Sequence, residues 1–405
     1  MRILNVTQTY APFFEFGGPP VKVRALSEAL VKRGHQVTVL TADWGLEERT
    51  RNETEEVRAR CAFGWRREEN GVEAIYLRNW ANYRALSWNP GISSFCRARL
   101  WNFDVVHIFG LYDLLGPQVA AACRRAEIPY VIEPIGMLLP IVRNFQLKRM
   151  YHQFVGRPML AGSRFLIATS AQEAAEFAAM GIDADRIVVR RNGVSIPAVL
   201  PARGKFRAKL GLDGDAKLIL FLGRLSEKKS PELLLEAFAI ASKSLQQPNL
   251  QLAFVGPDQA GMKKRLERLA AELEMKTRVQ FCGAVFGDDK WSAYRDADVF
   301  VLPSQNENFG NTAAEAAGAG TPVIVTQNCG IAALLDGAGL VVPHEANALA
   351  RAIERVLVEP GLQKQLAVAG CEMASHLDWE RPAAEMDELY SRIALTHKEL
   401  AATRN

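Results

Sequence analysis

The residues best equipped for chemistry lie in one run: Pro303-Ser304-Gln305-Asn306-Glu307-Asn308-Phe309-Gly310-Asn311-Thr312-Ala313-Ala314-Glu315-Ala316. A strand-like apolar run, Val299 to Leu302, ends just before it, and a helical pattern, Thr312 to Ala319, opens inside it. Backbone N–H groups at such a helix start attract anions and hydroxyl oxygens, and Gly310 lets a ligand approach the main chain. Glu307, among polar loop residues, reads as functional. Glu315 would project from the first helical turns. Thr312-x-x-Glu315 also fits a capping box, so the local pattern supports structure and function alike.

A second cluster is Phe221-Leu222-Gly223-Arg224-Leu225-Ser226-Glu227-Lys228-Lys229-Ser230-Pro231. A strand ends at the glycine, and Arg224 and Lys229 emerge just before a helix. Arg and Lys beside a helix N-terminus are what a diphosphate needs, because its growing charge must be neutralised as it leaves. The alternative is a solvated charged loop. Gly17-Gly18, a third feature, is weak alone and could be an ordinary turn. Neither G-x-x-x-x-G-K-[S/T] nor G-x-G-x-x-G occurs, which removes the main support for P-loop and dinucleotide readings. Asp183-Ala184-Asp185 and Asp296-Ala297-Asp298 precede apolar strands rather than follow them, which favours turn and helix-end roles over a metal. Six scattered cysteines without a C-x-x-C pair give no zinc or redox motif.

Strands alternate with helices throughout. Ile3–Val6, the Gly17 break, a helix carrying Val23, Leu26, Leu30 and Val31, and Val37–Leu40 form one βαβ unit. Strand-like runs recur at 105–108, 130–132, 165–168 and 187–189, a Pro-rich linker follows Asn192-Gly193, and the pattern restarts at Leu218. The chain of 405 residues therefore divides into 1–197, 198–371 and an amphipathic helical tail, 372–405. Hydrophobic residues at 49% and charged residues at 23% exclude a largely disordered protein. No apolar stretch approaches a membrane span, and the Met-Arg start runs straight into a strand without a signal-peptide core, so a cytoplasmic location is expected. Two α/β domains with facing loops would make a cleft suited to a bulky, two-part substrate.

Gly17-Gly18, Gly34-His35, Arg191-Asn192-Gly193-Val194, Gly223-Arg224 through Lys229, the Glu307-to-Glu315 motif and Trp379-Glu380 occur in an order and spacing that spans nearly the whole chain. In these the sequence resembles the retaining glycosyltransferases of family 4. The resemblance implies the α/β GT-B fold: two Rossmann-like, doubly wound domains facing across a cleft, with the C-terminal helix returning to the first domain. It also implies a nucleotide-diphosphate sugar donor held mainly by the second domain and a sugar or lipid-linked acceptor held by the first. On the same basis Arg224 and Lys229 match the pair that grips the diphosphate, and Gly18 the glycine loop that closes on it. Glu307 matches the glutamate that contacts the donor sugar and Glu315 the one that binds the ribose hydroxyls, with Phe309, Gly310, Asn311 and Thr312 forming the loop between. The implied mechanism is same-face transfer without metal or other cofactor, the leaving phosphate oxygen taking the acceptor proton.

One position departs from the family pattern. Members often carry a Pro-His-Gly turn whose His reaches the donor sugar; here the turn reads Glu133-Pro134-Ile135-Gly136, and Ile135 cannot hydrogen-bond through its side chain. Glu133 and His107 are the sugar-side or acceptor-side candidates that remain, although a His at the end of a strand can also simply pack. Rival readings are a sugar-nucleotide epimerase of the same fold and a non-catalytic nucleotide-sugar-binding protein. The charge is uneven: residues 1–197 hold 25 Lys+Arg against 19 Asp+Glu (+6), and 198–405 hold 24 against 26 (−2). From Pro134 to Gln172 there is no acid, while Arg143, Lys148, Arg149, Arg157 and Arg164 interleave with Phe145, Met150, Tyr151 and Phe154. This basic, partly amphipathic stretch fits an anionic membrane surface or a lipid-linked acceptor, and equally a solvated helix packing on the sheet. Such binding would place the enzyme peripherally at the inner membrane face. Nothing points to nucleic acid.

Overall fold

The computed structural model describes residues 1–54, 57–83, 86–136, 150–246 and 249–403. In chain order the strands are β1 (Arg2–Thr7), β2 (Gln36–Ala42), β3 (Arg58–Cys61), β4 (Gly64–Glu69), β5 (Val72–Leu77), β6 (Ala81–Tyr83), β7 (Leu86–Trp88), β8 (Val105–Phe109), β9 (Tyr130–Glu133), β10 (Leu166–Ala168) and β11 (Ile187–Val189). After the linker come β12 (Lys217–Leu222), β13 (Leu250–Val255), β14 (Val279–Phe281), β15 (Val299–Leu302), β16 (Val323–Thr326) and β17 (Leu340–Val342). They form two principal sheets, one in each compact unit of the chain: Met1–Gly193 with Trp379–Asn405, and Val194–Asp378.

The first sheet runs β11-β10-β9-β8-β1-β2-β5-β4-β3. Seven strands are parallel, and β4 and β3 add an antiparallel edge. Strands such as β8 are buried along their whole length and read as continuous apolar runs because helices cover both faces. One face packs Leu4, Leu40, Ile75, Val106 and Ile132 against helices 92–99 and 115–125. The other packs Ile3, Val39 and Val131 against helix Gly18–Lys32 and the C-terminal helix Glu380–Thr403. That last helix supplies Trp379 from its leading edge and Met386, Leu389, Tyr390 and Ile393 from its apolar stripe. The second sheet, β14-β13-β12-β15-β16-β17, is wholly parallel.

The boundaries differ from the sequence reading at the tail. Residues 362–375 form one helix of the second unit, its Leu366 and Ala374 packed in that unit's cores, and the crossing back occurs at Asp378-Trp379. Leu377 O accepts from Val194 N, so the two ends of the second unit's segment are tied together.

Candidate active site

In a parallel sheet the strand carboxyl ends gather the loops that bind ligands. In the second unit β12 and β15 are neighbours, so the loop carrying Arg224 and Lys229 lies beside the loop carrying Glu307. The side chains meet: the Lys229 ammonium is ion-paired with Glu307 Oε2, both being mostly buried. Lys228 Nζ donates to Asn308 Oδ1 at 3.3 Å, and Gln305 N donates to Lys228 O at 3.0 Å, which ties the two loops together. Arg224 is exposed and makes no ion pair among the described residues. The Glu307 loop is fixed on its other side by β16: Glu307 N donates to Asn328 O, Gly330 N to Glu307 O and Ile331 N to Phe309 O, at 2.6–2.9 Å.

Phe309 is only 2% exposed, its ring set in the core, so it anchors the loop. Gly310 is the N-cap of helix Asn311–Gly318 at φ +105°, and a Cβ there would lie 3.0 Å from Ile331 Cγ2. Because Gly310 holds the cap and no side chain bonds the helix start, the capping box suggested by Thr312-x-x-Glu315 does not form. Thr312 Oγ1 is buried without a hydrogen-bond partner among the described residues. Glu315 instead faces helix Gly287–Asp296, where Lys290 Nζ donates to Oε1 and the Tyr294 hydroxyl to Oε2, both at 2.8 Å. Burial and the Glu315 charge push the Tyr294 pKa up, so it remains a donor. Neither Lys290 nor Tyr294 stands out in the sequence, since their helix opens Gly287-Asp288-Asp289-Lys290 and shows little apolar periodicity.

Behind these loops a further glycine is required. Gly256, at the end of β13, has φ +145°, and a Cβ on it would fall 1.9 Å from Gly223 O. Gly223 N donates to Val255 O and Leu225 N to Pro257 O, so the Arg224 loop is laid directly on the β13 loop.

The Asp296–Asp298 pair is fully engaged in folding. The Asp296 carboxylate accepts from the backbone N–H groups of Gly204, Phe206 and Arg207, capping helix Lys205–Leu210. Asp298 accepts from Leu218 N and pairs with Arg207 and Lys217. Asp183 leads into a single 3-10 turn at Ala184–Arg186.

In the first unit Gly18 is the first residue of helix Gly18–Lys32. A Cβ there would meet nothing within 4 Å, so packing does not demand the glycine. Gly17, at φ +98°, is the residue the turn itself needs.

Two sequence candidates are corrected. Glu133, at the end of β9, is completely buried, with Oε1 ion-paired to Lys22 and Oε2 to Arg190 Nη2 at 2.5 Å. His107 is also completely buried: Nδ1 lies 2.6 Å from the Tyr390 hydroxyl, and Nε2 3.6 Å from Glu133 Oε2. Neither side chain is open to solvent. Both side chains sit on the face roofed by helices 18–32 and 380–403, and the alternation of a strand cannot reveal which face is covered. Burial pushes the His107 pKa well below its ordinary value, aided by the charges of Arg190 and Lys22. Burial also raises the Tyr390 pKa, so the phenol stays protonated beside Nδ1.

The sign of the resulting pH dependence follows. The folded chain keeps His107 neutral, whereas the unfolded chain takes up a proton as pH falls through about 6.5, so the unfolded state binds more protons there and stability drops with acidity. A His107→Asn chain should therefore show a shallower loss of stability between pH 6.5 and 5, by up to about 1.4 kcal/mol per pH unit. Urea titrations at several pH values check this, and parallel slopes in both chains would refute it.

Of the acid-free stretch, Arg143, Phe145, Lys148 and Arg149 lie outside the described residues. Met150 and Phe154 are exposed, while the Tyr151 hydroxyl reaches the carbonyls of Leu111 and Asp113 at 2.8 Å. Ile135 occupies the left-handed region at φ +52°, unusual for a β-branched residue, and Gly136 N beside it donates to Glu173 Oε1 at 2.9 Å. No helix among the described residues is long and apolar enough to cross a membrane.

Comparison with known proteins matches both halves. The glycosyl transferase 4-like domain model matches residues 17–193, and the glycosyl transferases group 1 model matches residues 202–373. The D-inositol 3-phosphate glycosyltransferase of Streptomyces bingchenggensis is 34% identical over 260 residues, covering 61% of this chain and 57% of the relative. The chain thus spans little more than half of that relative's length. The protein of the same name from Streptomyces avermitilis is 32% identical over 360 residues, covering 84% of this chain and 70% of the relative. Among solved structures, Anabaena HepE in complex with UDP and glucose superposes with a TM-score of 0.75 at 20% identity, over 97% of this chain and all of that one. Two parallel-sheet α/β units, a C-terminal helix returned to the first, and matches across both halves show that the chain belongs to the group 1 glycosyl transferases and has their GT-B fold.

Proposed function

We propose that the protein transfers a sugar from a nucleotide-diphosphate sugar to an acceptor hydroxyl with retention of configuration, in the synthesis of a polysaccharide, glycolipid or other glycoconjugate. The observation that carries this is the meeting of a cationic loop and a carboxylate loop, Lys229 on Glu307, at the carboxyl ends of adjacent strands and in front of the helix that starts at Asn311. The UDP bound by the structurally similar HepE supports a nucleotide donor. In this reading the diphosphate takes the Lys229 ammonium and the free Arg224 guanidinium as partners, with the helix N-terminus and the unpartnered Thr312 hydroxyl adding donors. Glu307 then turns to the sugar. The bond from the anomeric carbon to the phosphate oxygen breaks and a bond to the acceptor oxygen forms on the same face. The acceptor proton passes to the departing phosphate oxygen, whose charge Arg224 and Lys229 stabilise. Glu315, held by Lys290 and Tyr294, is set to accept ribose hydroxyls. The acceptor is a sugar or a lipid-linked sugar, the cations of residues 134–172 serving a negatively charged one.

Two results test the reading. Transfer from a nucleotide-sugar panel, followed as acceptor-dependent nucleotide release, should persist after exhaustive chelation, because the Asp296–Asp298 pair is committed to backbone N–H groups and Arg207. Activity lost to EDTA and restored only by Mn²⁺ or Mg²⁺ would sink the metal-free route. Calorimetry separates the two glutamates: Glu315→Gln should weaken the free nucleoside diphosphate about tenfold, a charge-assisted contact being worth about 1.5–3 kcal/mol, whereas Glu307→Gln should leave that affinity nearly unchanged and impair the sugar-bearing donor. Equal losses would mean the roles are wrongly divided.

A further inference from the structure

Glu315 lies where two helices of the second unit meet, and its two oxygens are treated alike. On helix Gly287–Asp296, Lys290 and Tyr294 stand one turn apart and therefore share a face. The ammonium donates to Oε1 and the phenol to Oε2, both at 2.8 Å. A carboxylate offers about four acceptor positions in all. With one taken on each oxygen, the positions that remain lie side by side, one on each. The Glu315 side chain keeps 13% of its surface exposed, so it is not sealed off.

Both donors are themselves held. Tyr294 is completely buried, with its ring edge-on to Trp291 and Phe300. Its carbonyl accepts from Thr321 Oγ1 at 2.5 Å, and Thr321 N donates back to Ala316 O. Tyr294 is thus bonded at both its ends to the segment that bears Glu315. The Lys290 ammonium stands 4.9 Å from the centre of the Trp291 ring, within cation–π range, and Trp291 is itself buried. The neighbouring acid Asp289 is taken by Lys205 and Lys209, which leaves Lys290 to Glu315. A carboxylate gripped at both oxygens does not swing to satisfy itself with one new donor.

We infer that Lys290 and Tyr294 are positioning residues that fix Glu315 as a reader of a complete ribose diol, so that the donor is a ribonucleoside-diphosphate sugar and its 2′-deoxy counterpart is rejected. The inference rests on the proposal that Glu315 accepts the ribose hydroxyls. Two vicinal hydroxyls fill the two side-by-side positions of the fixed carboxylate. A 2′-deoxyribose fills one and strips the other of water without replacing it, which is the arrangement that discriminates best against a missing hydroxyl. The Lys290 charge acts in the same direction. It offsets the carboxylate, so an acceptor pair is offered to an anionic nucleotide without net like-charge repulsion.

The test is calorimetry on the full chain with UDP, GDP and ADP, each beside its 2′-deoxy form. For whichever base binds, wild type should prefer the ribose form by about 10–100-fold, as expected for one hydrogen bond to a charged group. Tyr294→Phe, which keeps the ring, and Lys290→Met, which keeps the length without the charge, should each narrow that preference to about threefold or less. They should do so by weakening the ribose form while the deoxy form changes little. A merely structural role weakens both forms alike, so an unchanged preference in the two variants overturns the inference. Should Tyr294→Phe fail to fold, Lys290→Met, whose side chain is partly exposed, makes the same comparison. Equal affinity of wild type for ribose and deoxyribose forms overturns the inference and leaves the nucleotide-donor reading standing. No binding by any of the six overturns both.

Discussion

A Glu133→Gln chain should be about 3–5 kcal/mol less stable than the parent, the range expected when one partner of a buried ion pair is removed. The carboxylate is completely buried and is shared by Lys22 and Arg190, both also buried. Arg190 Nε and Nη1 already lack partners among the described residues, and burial lowers its pKa to about 10. Removing the shared counter-ion would leave two buried cations with only the more distant Glu173 and Glu385 charges to offset them. The cause can be separated from mere loss of contacts. Exchanging the cluster for apolar groups of similar volume, Lys22→Met with Glu133→Leu and Arg190→Met, should recover most of the loss, because no buried charge then remains. Urea unfolding of the three chains decides it. If Glu133→Gln matches the parent while transfer collapses, Glu133 is a substrate contact and the buried-pair account fails.

Lys229→Ala should lower kcat/KM by about 10²–10³-fold, the loss typical of removing a preorganised charge from the place where transition-state charge grows. The variant loses more than a cation. Glu307, ion-paired with Lys229 in the unliganded chain, would then face the incoming diphosphate with its carboxylate uncompensated. Lys229→Ala/Glu307→Gln should therefore lose clearly less than the product of the two single losses, as groups that act as a unit do. Stability should barely change, since a pair that still touches water is worth only about 0–1 kcal/mol. Steady-state kinetics beside thermal unfolding make the comparison; a multiplicative double variant would show that the two residues work independently.

How much of this was legible in the sequence depends on burial geometry. Strands β12, β15 and β16 announce themselves because parallel strands covered on both faces are apolar almost without interruption, as in Leu218-Ile219-Leu220-Phe221. Strand β4, Gly64-Trp65-Arg66-Arg67-Glu68-Glu69, does not, because its cross-strand and neighbouring charges satisfy one another: Arg66 pairs with Glu68 and Glu73, and Arg67 with Glu53 and Glu69. In the site, Glu307, Glu315, Arg224 and Lys229 were legible as residues poised at strand ends. What holds them was not: Lys290 and Tyr294 meet Glu315 only once two helices pack. The burial of Glu133 and His107 was not legible for the same reason. The partners that bury them, Lys22, Arg190 and Tyr390, lie 111, 57 and 283 residues away, and no local pattern announces such a partner.

The return of the chain to its first unit has a bearing on synthesis. As the polypeptide emerges from the ribosome, the first sheet is complete by β11, yet its face bearing Ile3, Val39 and Val131 still lacks the helix with Met386, Leu389 and Tyr390. The second unit is continuous in sequence and has its own cores, so it can finish folding while the earlier-made unit waits, inverting the usual vectorial order. During that wait His107 lacks its Tyr390 partner, and the apolar strip beside helix 18–32 is open to chaperones and to other nascent chains. The helix that closes the first domain made is translated only after the whole of the second.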